Sequence, residues 1–398
     1  MKEARKKHIA LVIRVLNGRS GGAERIYCEL ANILQENGYD VTCLHFDAKA
    51  GKPFYPLNNQ VERINLFGSG SIWKRRLAAL RKFLPPKVRD WVSWEVQNSF
   101  FVEQLRDYFT LVKPDIAISI LPPANTPTLI AAAGTEVKVI PCNHNVPEQD
   151  YRNPKRWGAS PLDRQLRLKV LENAAAIHVL FPDFADWFPS HLRGRIVAIP
   201  NYISREFRWP TPRPQREKTV LAVGRLADVK NYMQLIKSWS TVAEEFPDWK
   251  VKIFGIGPQL QELKQEIERL GLRGKVELPG HLTDLSSEYA KASIFCHPAL
   301  FEGFGLSVAE ALYLETPVVA FADCAGVNEF VRDGYNGLTV ERTGTKDNLA
   351  EALRRLINDE NLRCNLGANG PESVKDFTFD RYESNWIDLI ENLETVDG

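Results

Sequence analysis

A chain of 398 residues is longer than one hydrophobic core usually organises, so two domains of similar size are expected. With 44% hydrophobic and 25% charged residues, it has a folded globular composition and is neither disordered nor fibrous. A net charge of +1 excludes bulk electrostatic capture of nucleic acid, so a charged ligand has to be met by a local cluster.

The N-terminal stretch Met1–Leu16 is basic and then apolar. Arg14 interrupts the apolar run and no small-residue cleavage site follows, so it reads as a first buried strand rather than a secretion signal. No run of about 18 apolar residues predicts a membrane span. The six cysteines, Cys28, Cys43, Cys142, Cys296, Cys324 and Cys364, form no Cys-x-x-Cys and read as reduced thiols.

In chain order, the strand His8–Leu16 is followed by a helical pattern over 23–37 that Gly38 stops, and then by the strand Val41–Phe46. Further strands are expected at 115–120, 137–141, 176–181 and 196–199. A stretch with Pro210, Pro212 and Pro214 then reads as a linker. The alternation restarts with strands at 219–223, 250–254, 276–278, 293–297 and 317–321. Helices are expected at 232–246, 259–270, 306–314, 345–358 and 380–393. Strands separated by helices predict an α/β fold of two doubly wound, Rossmann-like domains with a ligand cleft at the strand carboxyl ends. The expected domains are 1–207, a linker 208–217, 218–378, and a terminal helix in 379–398.

Three clusters carry chemistry. Gly21-Gly22-Ala23-Glu24 follows the first strand and opens a helix, which suits close backbone approach to an anion; a plain tight turn is the competing reading. Gly224-Arg225-Leu226, with Asp228, Lys230 and Asn231, places two cations just past a strand. Arg225 and Lys230 are suited to a diphosphate, unless Asp228 merely neutralises Lys230 in a solvated loop. His297-Pro298 precedes Glu302-Gly303-Phe304-Gly305-Leu306 and Glu310. Glu310 is suited to a ribose, although Ser307 and Glu310 also match a helix capping box.

In order and spacing these motifs resemble the family 4 retaining glycosyltransferases of the GT-B fold. The resemblance extends over Ile199-Pro200-Asn201, Phe254-Gly255-Ile256-Gly257-Pro258, the Glu-x7-Glu pair Glu302 and Glu310, Gly326-x-x-Glu329 and Asp333-Gly334-x-Asn336-Gly337-Leu338. It implies that a hexose-type sugar is moved from a UDP- or GDP-linked donor to an acceptor, with the anomeric bond kept. It implies that Arg225 and Lys230 bind the diphosphate and Glu310 the ribose. Glu302, with backbone N–H groups from Gly303, Phe304, Gly305 and Leu306, contacts the sugar. Gly22 lies near diphosphate and acceptor, and His144 lines the sugar site. Gly224, Gly255, Gly257 and His281 complete the donor site. No cofactor or metal is expected, and no Asp-x-Asp is present.

From Ser71 to Arg89 seven basic residues and no acidic one flank an apolar stripe of Trp73, Leu77, Leu80 and Leu84, with Trp91, Trp94, Phe100 and Phe101 beyond. Residues 71–101 read either as an anionic-membrane contact or as a helix packed on the first domain. The resemblance implies a saccharide or lipid-linked acceptor, which leans toward the membrane contact, and a cytoplasmic location, peripheral at the inner face of the membrane in that case. A sugar-nucleotide epimerase and a catalytically silent sugar-nucleotide-binding subunit are the competing functions.

Overall fold

Short runs rich in valine and isoleucine become strands buried on both faces, as parallel strands between helical layers require. The computed structural model describes residues 5–68, 85–157, 161–205, 207–282, 284–342 and 347–393. Two compact units result: Met1–Pro200 together with Glu383–Gly398, and Asn201–Tyr382.

The first unit holds a seven-stranded sheet. Its strands are β1 (His8–Ile13), β2 (Asp40–His45), β3 (Glu62–Asn65), β4 (Ile116–Ile120), β5 (Lys138–Cys142), β6 (Ile177–Val179) and β7 (Ile196–Ala198). The order is β3-β2-β1-β4-β5-β6-β7, with every pairing parallel. The order reverses beside β1, the kind of switch point where open α/β sheets bind ligands. β3 escaped the sequence reading because Glu-Arg-Ile-Asn is an edge strand with neither alternation nor an apolar run.

Pro85-Pro86 opens a helix. Pro85 is the N-cap of a helix over Pro86–Val112, with proline in the first turn, where the missing N–H costs nothing. The apolar stripe up to Leu84 lies outside the described residues. Of the aromatics beyond it, Phe101 belongs to the core and Phe100 packs beside it: both rings approach Phe46, at 4.9 and 6.1 Å respectively. The Arg14 guanidinium stacks on Phe46 and Phe101, which explains a cation at the end of an apolar run. Trp91 remains 55% exposed.

The second unit holds a six-stranded sheet: β8 (Glu217–Val223), β9 (Lys250–Phe254), β10 (Val276–Gly280), β11 (Ala292–His297), β12 (Val318–Phe321) and β13 (Gly337–Val340). Its order is β10-β9-β8-β11-β12-β13, again parallel throughout. Trp239, Ile253, Leu263, Ile294 and Leu353 are among its core side chains. Residues 201–217 lie with this unit. Ile203 N–H donates to the Phe377 carbonyl at 2.9 Å, and the Tyr202 ring packs on Tyr382. The Arg216 guanidinium donates to carbonyls of Tyr289, Ala292, Leu314 and Glu315.

The final helix, Phe379–Asn392, belongs from Glu383 onward to the first unit. There Trp386 is fully buried against the His178 ring, and Glu391 pairs with Lys7. No described helix is long and apolar enough to cross a membrane.

Candidate active site

β8 and β11 are neighbours in the second sheet, so the loops leaving their carboxyl ends lie side by side. One loop carries Arg225 and the single turn Asp228–Lys230; the other carries Glu302. Leu300 N–H donates to the Val229 carbonyl at 2.8 Å and ties the two together. The Lys230 ammonium donates to Glu302 Oε1 across 72 residues of sequence. The same oxygen lies 3.4 Å from Nε2 of His297, the last residue of β11. Asp228 does not neutralise Lys230; it accepts from Gln259 Nε2 at 2.6 Å.

The Lys230 and Glu302 side chains are each only 17% exposed. Burial by itself raises the Glu302 carboxyl, but the Lys230 ammonium and the His297 ring outweigh it and hold the group at about 2. Glu302 is therefore ionised throughout the neutral range and can accept hydrogen bonds but not supply a proton. Burial, with the nearby Lys230 charge, keeps His297 below the usual histidine range despite the Glu302 carboxylate beside it. Arg225 is exposed and makes no hydrogen bond or ion pair with any described residue. The site thus holds one neutralised cation and one available cation.

Backbone contacts fix these loops. Gly255 has φ +148, and a Cβ there would fall on the Gly224 carbonyl oxygen, so the loops after β8 and β9 touch through bare backbone. Leu226 N–H donates to Ile256 O at 3.0 Å, and Gly257 lies against Leu226. A Cβ on Gly326 would likewise strike the carbonyls of Glu302 and Gly303, so the short helix Ala325–Asn328 presses directly on the Glu302 loop. Gly305, left-handed at φ +85, is the N-cap of the helix Leu306–Tyr313, whose first N–H groups lack intrahelical acceptors. The capping box does not form: Ser307 lies inside the helix, and Glu310 accepts from the Tyr289 hydroxyl at 2.9 Å. Phe304 is buried beside Phe330 and Phe377, leaving its backbone as the part available to a ligand. His281 is exposed just past β10.

The sequence reading assigned no role to Tyr232 or His297. The Tyr232 hydroxyl is buried without a hydrogen-bond partner among the described residues, 2.7 Å from where a Gly224 Cβ would sit. His297 was visible in its motif, but its partner was not. The last position of a strand facing a βα loop is the signal that could have marked it.

In the first unit, Gly21 is the N-cap of the helix Gly22–Glu36, and the space around Gly22 is open. Buried Asp47 shapes the preceding loop, accepting from Leu16 N–H at 2.9 Å and His45 Nδ1 at 2.8 Å. Beyond β5, Asn143 donates through N–H and Nδ2 to the His178 carbonyl and accepts from the Tyr151 hydroxyl at 2.8 Å. The next residue, partly exposed His144, leaves both ring nitrogens without a hydrogen bond. Burial, then His178, holds its ring well below the usual histidine range and therefore neutral. The sulfur and nitrogen atoms of Cys142, His144 and His178 lie within 4.8 Å of one another.

Residues 20–207 match the family described as Glycosyltransferase Family 4, and residues 203–373 match Glycosyl transferases group 1. The chain is a family 4 glycosyltransferase. One relative of this glycosyltransferase is the Campylobacter jejuni enzyme named GalNAc-alpha-(1->4)-GalNAc-alpha-(1->3)-diNAcBac-PP-undecaprenol alpha-1,4-N-acetyl-D-galactosaminyltransferase. The two are 27% identical over 98% of this chain and 99% of that one. Among solved structures, sucrose-phosphate synthase from Thermosynechococcus elongatus superposes with a TM-score of 0.78 at 19% identity, covering 98% of this chain and all of that one. Anabaena HepE, solved in complex with UDP, gives a TM-score of 0.71 at 17% identity over 97% of this chain and all of that one. The glycosyltransferase thus has the GT-B fold, built from two Rossmann-like sheets.

Proposed function

We propose that this glycosyltransferase moves a hexose-type sugar from a uridine or guanosine diphosphate sugar to a lipid-linked saccharide, keeping the anomeric configuration and using no metal ion. One observation carries the reading: exposed Arg225, without a partner among the described residues, beside the Lys230–Glu302–His297 cluster at the carboxyl ends of β8 and β11. Arg225 offers the planar fork that matches diphosphate oxygens, and Lys230 adds a compact charge already near the site. Together they stabilise the negative charge that develops on the leaving group. Glu302, permanently ionised, accepts hydrogen bonds from hydroxyls of the transferred sugar. Glu310 holds the ribose, with the Tyr289 hydroxyl steadying its carboxylate.

In the transfer step, the bond from the anomeric carbon to the diphosphate breaks while the acceptor oxygen bonds to the same face. The acceptor proton passes to the departing phosphate oxygen, so no side-chain nucleophile or general acid is needed. The first unit holds the acceptor, and Gly22 and His144 are its contributions to transfer. UDP bound to HepE supports a uridine donor, and the undecaprenol-linked substrate in the Campylobacter relative's name supports a lipid carrier. A carrier of that kind puts the enzyme at the cytoplasmic face of a membrane, with exposed Trp91 and the basic stretch before it against anionic lipid.

The test is a thermal-shift screen of UDP, GDP, ADP and their sugar conjugates in EDTA, followed by transfer to a polyprenyl-diphosphate saccharide. A shift with one nucleotide and an axial-to-axial product are expected. A free nucleotide-sugar product without acceptor would replace this reading with the epimerase. A shift with no transfer to any acceptor would replace it with the silent sugar-nucleotide-binding subunit, and no shift with any nucleotide would remove the donor site itself.

A further inference from the structure

Strand register places three metal-binding side chains on one face of the first sheet. Cys142 ends β5, and His178 on β6 is its register partner. Register partners in a parallel sheet point the same way, and His144, two residues beyond Cys142, returns to that side. His178 Nε2 lies 2.9 Å from the Ile199 carbonyl, which can only accept; Nε2 therefore carries the proton and Nδ1 keeps its lone pair. That Nδ1 is buried and has no hydrogen-bond partner among the described residues, and the same holds for the two ring nitrogens of His144. An imidazole whose other nitrogen donates to a backbone carbonyl is held as metal-ligating histidines are held. The Trp386 ring packs on the His178 ring at 5.1 Å and restricts its movement.

We propose that Cys142 Sγ, His178 Nδ1 and one ring nitrogen of His144 form a binding site for a thiophilic divalent ion of the zinc class. A thiolate and two imidazoles suit tetrahedral Zn²⁺ with water as fourth ligand, and the absence of a carboxylate from the trio disfavours Mg²⁺ and Ca²⁺. Zinc needs its ligand atoms roughly 3.5 Å apart, so the trio, whose ligand atoms lie within 4.8 Å of one another, draws together on binding. The Cys142 thiol gives its proton to solvent as the ion binds, both imidazoles enter neutral, and no electron is transferred. His144 is the partly exposed member and the ion's way in. Occupancy withdraws His144 from transfer, so zinc inhibits rather than assists; this consequence alone rests on the function proposed above.

The full chain titrated with Co²⁺ tests the site without reference to activity. One equivalent is expected to give a thiolate-to-cobalt charge-transfer band in the near ultraviolet and an intense tetrahedral ligand-field band, both abolished by competing Zn²⁺. The charge-transfer band should vanish in Cys142→Ser and persist in Cys364→Ser, which removes the exposed cysteine. Cobalt affinity should fall at least roughly tenfold in His178→Gln. No band in the parent, a band surviving Cys142→Ser, or a band lost in Cys364→Ser overturns the proposal. If Cys142→Ser does not fold, His144→Ala, which removes no hydrogen bond, carries the tenfold expectation, and unchanged affinity overturns the site. Zinc should also depress sugar transfer reversibly by EDTA. Cobalt binding with zinc-insensitive transfer would keep the ion site and overturn the role of His144 in catalysis.

Discussion

Asp150 in the first unit and Glu302 in the second are both buried carboxylates beside cationic groups, and the two are displaced in opposite directions. Glu302 in the second unit is held down at about 2, whereas Asp150 in the first is pushed up to about 6. Burial raises both. Glu302 has an ammonium bonded directly to one oxygen and a histidine ring 3.4 Å from it. Asp150 has the Trp157 indole N–H at 2.7 Å, the Arg156 guanidinium only at 3.6 Å, and a second oxygen with no partner. Positive charge nearby is therefore insufficient; a cation in hydrogen-bond contact overcomes desolvation, and one a short step away does not. The difference matches the role proposed for the second unit, a permanently charged site for a diphosphate sugar.

The largest expected effect comes from Lys230→Ala, which strikes charge and chemistry together. Turnover should fall at least roughly a hundredfold, the scale of losing one transition-state donor. Removing the buried partner should cost about 3–5 kcal/mol of stability. Urea midpoints should recover most of that loss in Lys230→Ala with Glu302→Gln; no recovery would mean the pair is not what holds the loops. Arg225→Ala, with its exposed side chain, should lose turnover on the same scale while keeping its urea midpoint. Near-normal turnover in both variants would remove the diphosphate assignment.

The sign of the pH dependence sharpens the contrast. Glu302 has a folded value below its unfolded one, so its contribution is full above pH 4.5 and is lost as pH falls toward 2. Asp150 has a raised folded value, so the stability it supplies in acid is lost as pH rises from 3.8 through 6. Asp150→Asn should therefore gain on the parent by up to about 3 kcal/mol between pH 4 and 8, read by urea unfolding at each pH. Glu302→Gln should lose its acid limb and show no such gain. Equal slopes in the two variants would collapse the comparison. The smallest effect expected is from Gly255→Ala, about 1–3 kcal/mol, because the loop must yield to a Cβ aimed at the Gly224 carbonyl. Weaker nucleotide binding with little change in turnover should accompany it.

Much of the fold could be read from the letters. Buried parallel strands announce themselves as short apolar runs, and Lys250–Phe254 was bounded to the residue. Some readings stayed open because local chemistry admits two outcomes: Ser307-x-x-Glu310 suits a capping box or a helix interior. Only neighbours outside the segment choose between them.

The order and spacing of Gly224 to Asn231, Glu302 to Glu310 and Asp333 to Leu338 were enough to reach the family, because backbone turns at strand ends demand particular residues at particular intervals. The pairing of Lys230 with Glu302 was beyond reach. It joins residues 72 apart and exists because a crossover makes β8 and β11 neighbours in space. The same holds for Cys142, His144 and His178, which meet through β5–β6 register and lie under a helix from the far end of the chain. Local sequence sets which backbone shapes are cheap, whereas ionisation and ligand geometry depend on distances that only tertiary packing creates.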